Sequence, residues 1–112
     1  MIKKEWGAFV EIFGITPQNR IIEFFLEMRE LDFSVGDVAN ETGLSRATTY
    51  NTAKELIKNK IILPTRKLSG IQLYRLNLKK PEVQVLIKAF NEVLSVIEGR
   101  YQEKEMVVLQ QG

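Results

Sequence analysis

The chain has 112 residues, 45% of them hydrophobic and 27% charged, which suits one compact domain and leaves no room for a separate catalytic domain. It contains neither cysteine nor histidine, which excludes disulfides and thiol nucleophiles and removes the commonest general base and transition-metal ligand; an enzyme, a metal site or a bound cofactor is not expected. The net charge is only +2, yet residues 44–80 hold nine basic side chains against Glu55 alone while both flanks are net acidic, a distribution that suits a polyanionic partner.

The longest apolar stretches, such as Ile61 to Leu63 and Met106 to Leu109, fall far short of the roughly 20 residues a membrane span needs. The N-terminal residues carry no signal-peptide core, so a cytoplasmic protein with no membrane partner is expected.

In chain order, Trp6, Phe9, Val10 and Phe13 form the apolar stripe of an N-terminal helix over 5–14, closed by Gly14. Thr16 as N-cap with Pro17 at the first position opens a second helix, carried by Ile21, Ile22, Phe25, Leu26 and Met28 to about residue 31. Glu23, Glu27 and Glu30 lie at helical spacing on that helix and read as a solvated face. Ser34 and Asp37 have capping-box spacing and start a short helix through Val35, Val38 and Ala39 to Glu41. Thr42-Gly43-Leu44 is the turn, and Ser45 caps the next helix, 45–58, whose inward face is Thr49, Ala53, Leu56 and Ile57.

Two runs rich in branched and aromatic residues, Ile61 to Arg66 and Ile71 to Leu76, flank Lys67-Leu68-Ser69-Gly70 and predict a β-hairpin, with Pro64 tolerated at an edge. Pro81 opens a last helix over 81–98 in which Leu86, Phe90, Val93 and Ile97 form a seam and Val85, Ala89 and Leu94 adjoin it. Gly99 is expected to stop it, leaving 99–112 as a flexible tail. The whole is expected to be one mainly α domain with a small β-hairpin (α+β), its core at 16–80.

The stretch Val38-Ala39-Asn40-Glu41-Thr42-Gly43-Leu44-Ser45-Arg46-Ala47-Thr48 resembles the helix-turn-helix of ArsR-like and MarR-like winged-helix transcription regulators. Glu55 to Ile62 is similar to their recognition-helix end and first wing strand. Tyr74-Arg75-Leu76-Asn77 before Pro81, and Ile12-Phe13-Gly14 before the first core helix, resemble archaeal members. The resemblance covers roughly residues 5–97 and implies a winged helix-turn-helix that binds double-stranded DNA as a transcription regulator, a repressor in the simplest reading.

In that geometry the N-terminal part of helix 45–58 enters the major groove, so Arg46, Ala47, Thr48, Tyr50 and Asn51 are candidate base readers. Arginine pairs with guanine and asparagine with adenine, whereas alanine or a threonine methyl can touch a thymine methyl. Ser45, Lys54, Lys58, Arg66, Lys67, Ser69 and Arg75 are candidate contacts to the DNA backbone, which position the protein without reading sequence. Leu86, Phe90, Val93 and Ile97 offer more apolar surface than a three-helix core covers, so a homodimer is expected through the last helix. The competing reading is a winged-helix docking module for an acidic protein partner, disfavoured by the basic middle of the chain.

Overall fold

A computed structural model describes residues 6–111, with side chains described through Arg100. The order is α1 (Ala8–Phe13), α2 (Pro17–Glu27), α3 (Val35–Thr42), α4 (Arg46–Lys58), β1 (Ile62–Leu68), β2 (Ile71–Leu76) and α5 (Pro81–Gln111). No described helix is long and apolar enough to cross a membrane.

The helix starts follow the local chemistry of the sequence. Thr16 accepts the Asn19 N–H at 3.1 Å and Pro17 occupies the first helical position of α2. Ser34 and Asp37 close a reciprocal capping box on α3, each side chain accepting the other's backbone N–H. Ser45 accepts the Thr48 N–H at 3.1 Å and opens α4. Gly43, left-handed at φ 74°, ends α3 and turns the chain sharply enough for α4 to pack across it.

The end of α4 is a Schellman motif built without glycine. Lys60 N–H donates to Ile57 O and Ile61 N–H to Leu56 O, with Lys60 itself left-handed at φ 58°. The Asn77 side-chain amide donates to Lys60 O at 2.9 Å and so braces the strained residue from the far side of the hairpin.

Strands β1 and β2 pair antiparallel, Ile62 opposite Leu76 and Leu68 opposite Ile71. The register slips between Pro64 and Lys67, where Thr65 and Arg66 together oppose Leu73 in a β-bulge. The hairpin is joined through Ser69 and Gly70, both at positive φ (49° and 79°), the requirement of a two-residue turn that matches strand twist. β1 therefore runs through Lys67 and Leu68, further than the expected end at Arg66.

Phe33 adds a short third rung, exchanging both backbone hydrogen bonds with Tyr74 at 2.8 Å. Because Tyr74 directs its N–H and C=O to Phe33, its opposite neighbour Pro64 sits at a non-hydrogen-bonded position. The missing proline N–H therefore costs no ladder bond there.

The core gathers Phe9 and Val10 of α1, Ile21 to Leu26 of α2, Val38, Leu56, Ile62 and Leu76, and Val83 and Phe90 of α5. Phe24 and Phe25 of this core meet each other and the half-buried Phe33 edge to face.

Four expectations need correction. α2 ends at Glu27, since Met28 N–H already makes its last helical bond to Phe24 O and residues 28–30 turn toward Phe33. Gly99 does not stop α5, which continues to Gln111; a single glycine lowers helix propensity by only about 1 kcal/mol. Glu23 is not a solvated carboxylate. It is buried, 4% exposed, and accepts the Gly7 N–H at 2.6 Å and the Val10 N–H at 3.0 Å, holding the first turn of α1 against α2. Of the expected helix 5–14, α1 occupies 8–13, and Glu5 lies outside the described residues.

Candidate nucleic-acid interface

α4 divides into two faces by its period. Thr49, Ala53 and Leu56 are buried against the core, with Ile57 half-buried beside them. Thr49 Oγ1 donates to Ser45 O at 2.7 Å, which satisfies the one polar group on the inward face. The opposite face carries Arg46, Ala47, Tyr50, Asn51, Lys54, Glu55 and Lys58, all exposed and on successive turns. Ser45, capping the helix at its exposed end, is also exposed.

Of the expected base readers, Arg46 and Tyr50 are brought together: the Arg46 guanidinium lies 5.9 Å from the Tyr50 ring centroid. Arg46 also lies back across the first turn of α3, where a β-carbon on Gly36 would sit 3.5 Å from its Nη2. Thr48 is set apart from the others. It is half-buried and its Oγ1 accepts a hydrogen bond from Ser45 Oγ at 2.9 Å, so its hydroxyl belongs to the helix cap.

The wing presents its cations unevenly. Lys67, Ser69 and Arg75 are exposed. Arg66 is exposed too but pairs with Asp32, its Nε 2.9 Å from Oδ2 and its Nη2 3.2 Å from Oδ1. Thr65 Oγ1 adds a bond to the same carboxylate at 2.7 Å. The hydrogen bonds from Arg66 and Thr65 hold the Asp32 carboxyl at about 2, and the same pairing raises the Arg66 guanidinium. Arg66 thus latches the wing to the loop before α3, and it meets a phosphate only by sharing or leaving that carboxylate. Lys80, at the foot of the wing, is half-buried and paired with Glu82 at 2.9 Å, which lowers the Glu82 carboxyl.

The sequence reading missed this latch because Asp32 and Arg66 are 34 residues apart and neither has a local pattern. It also missed the tip: Leu68 and Ile71, paired across the last rung, are 50% and 56% exposed.

The expected dimer seam splits in two. Phe90 is buried in the chain's own core beside Phe9, with Leu86 packed against the same cluster, so Phe90 is already covered within the monomer. Val93 is half-buried and Ile97 exposed. They line an open groove of about 720 Å³ between α1 and α5, together with Trp6, Ile12, Phe13 and Val96. Ile12, Phe13 and Val96 are each more than half exposed. Among the described residues, no group of three or more carboxylates is placed to hold a metal ion.

No family model matches the chain, and no curated protein matches it. Its fold has counterparts among solved structures. The adhesin competence repressor AdcR of Streptococcus pyogenes superposes with a TM-score of 0.58 at 19% identity, over 83% of this chain and 74% of that one. A possible transcriptional regulator from Methanosarcina mazei superposes with a TM-score of 0.53 at 14% identity, over 78% and 75%. A ZitR variant of Lactococcus lactis, solved in complex with DNA, gives 0.56 at 16% identity, over 75% and 57%. Five helices, a two-stranded hairpin after the fourth, and this likeness make the fold of the chain a winged helix-turn-helix.

Proposed function

We propose that the chain is a sequence-specific double-stranded DNA-binding transcription regulator, a repressor acting by covering promoter DNA. The observation that carries this reading is the exposed face of α4. Its outward residues include the cations Arg46, Lys54 and Lys58 against the single carboxylate of Glu55 near its C-terminal end, and it leads directly into a wing bearing Lys67 and Arg75. The name of each neighbour reported above, one of them bound to DNA, supports the same reading.

In this mechanism the N-terminal turns of α4 enter the major groove. Arg46 reads guanine, Asn51 reads adenine, and Ala47 meets a thymine methyl. Tyr50 braces Arg46 through its ring and reaches a base edge or phosphate with its hydroxyl. Ser45, Lys54 and Lys58 along the helix, with Lys67, Ser69 and Arg75 on the wing, hold the phosphates. Two copies joined through Val93, Ile97 and the α1 residues beside them would set two α4 helices about 34 Å apart, on a pseudo-palindromic site.

Fluorescence anisotropy with the DNA upstream of the protein's own gene, against a scrambled duplex, tests this. If about six to ten phosphates are neutralised, affinity falls ~10³ to 10⁵ between 50 and 200 mM salt. Arg46→Ala lowers affinity for the true site by about ten- to a hundredfold and leaves the scrambled duplex nearly unchanged. Absence of binding to either duplex at low salt rejects the reading in favour of a docking module for an acidic protein.

A further inference from the structure

The wing ends in a feature that phosphate contact does not use. Leu68 and Ile71 are direct cross-strand partners, so their side chains share one face of the hairpin at its outermost rung. Both are at least half exposed, and between them stand only Ser69 and Gly70. An exposed apolar pair at a hairpin end is an aggregation hazard that edges ordinarily blunt with charge. Here the pair stands uncovered and is free to meet a partner.

We infer that this pair is an apolar wedge that enters the minor groove beside the α4 site and opens a base step there. The inference rests on the DNA-binding reading above and adds to it a site and a deformation. Charge complementarity selects DNA as the occupant: residues 60–80 carry six basic side chains and no acidic one, which favours a polyanion over an apolar protein surface.

Reach agrees with it. About six residues of strand separate the tip from the base of the wing, and at ~3.3 Å per residue that is roughly 20 Å. Half a DNA turn is about 17 Å, so a wing standing beside a helix in the major groove reaches the adjacent minor groove. The turn itself is rigidly specified by its two left-handed residues, and the Asp32–Arg66 latch fixes the strand two residues before Leu68. Leucine and isoleucine are among the side chains that unstack base steps and kink the duplex toward the major groove. Pyrimidine–purine steps deform most readily, so the wedge would add a preference at positions α4 does not touch.

The test uses the full chain and the upstream duplex, labelled at its two ends for fluorescence energy transfer. Wild type is expected to bend the bound duplex by about 20–90°. Leu68→Ser with Ile71→Ser, both at exposed positions, is expected to keep the fold by circular dichroism, lose the bend and bind about tenfold more weakly. Lys67→Ala is expected to keep the bend while flattening the salt dependence by about one unit of slope. A tightly bound but straight duplex, or a double variant that bends it as wild type does, overturns the wedge and leaves the DNA reading standing. A straight duplex with self-association of wild type that the double variant loses overturns it in favour of a contact between copies. Failure of wild type to bind any duplex at low salt overturns the DNA reading and the wedge together.

Discussion

Glu23 shows how much one side chain can decide. Its carboxylate accepts two backbone N–H groups at the start of α1, so the helix of only six residues gains charged acceptors at its positive end. Replacing it strands the buried Val10 N–H and the half-buried Gly7 N–H, and Glu23→Ala is expected to cost about 3 kcal/mol in urea unfolding. A loss under about 0.5 kcal/mol would mean that water replaces the carboxylate without penalty. Asp32 makes the opposite kind of bond, at the surface. Its carboxyl is depressed in the folded chain from 3.8 to about 2, so its contribution to stability is complete above the ordinary carboxylate range and is lost as pH falls toward 2. Glu27 has the reverse sign: burial first, then the charge of Glu23, raises its carboxyl, so the penalty for its charge is relieved as pH falls through that raised value. Asp32→Asn should therefore flatten the decline of the urea midpoint between about pH 4 and 2. Wild type and variant falling in parallel over that range would show that the latch adds no stability. Neither carboxylate role was legible in the sequence. The helical spacing of Glu23, Glu27 and Glu30 is that of any solvated face, and only the approach of α1 distinguishes the first from the others.

At the scale of elements, caps and turns were the most legible part of the chain. Thr16, Ser34 and Ser45 act within three residues of themselves, so their chemistry is written locally. The end of α4 is the instructive exception. A Schellman motif places its left-handed residue at Lys60, where glycine would carry no steric cost, and the brace from Asn77 comes from 17 residues away. Lys60→Gly is expected to raise stability by about 1 kcal/mol, read as a higher urea midpoint at unchanged slope. A decrease would show that the lysine side chain contributes packing that outweighs backbone strain. The wing was legible as a hairpin but not in its details. The bulge at Thr65 and Arg66, the third rung at Phe33 and the harmless placement of Pro64 all depend on which strand pairs with which edge.

The whole molecule is elongated, 58 by 35 by 25 Å, because α5 extends over 31 residues. Its first half belongs to the core through Val83, Leu86 and Phe90, whereas Val93, Val96 and Ile97 face the groove against α1. If that groove joins two copies, Ile97→Glu should leave a folded monomer in sedimentation velocity where wild type is a dimer at micromolar concentration. It should also weaken binding to a two-half-site duplex far more than to a single half-site. A wild-type monomer at that concentration rejects the dimer. The sequence by itself determined the starts of α2, α3, α4 and α5, the sharp turn at Gly43, the division of α4 into a core face and a polar face, and the basic middle of the chain. Each of these follows from period, local capping or composition, which a chain carries before it folds. Tertiary structure alone decided that Glu23 is buried, that Arg66 holds Asp32, that Phe90 lies inside while Ile97 does not, and that Leu68 and Ile71 stand uncovered. Such partitions depend on contacts between residues distant in sequence, and the same apolar or charged pattern fits either side of a surface until the neighbouring elements close over it.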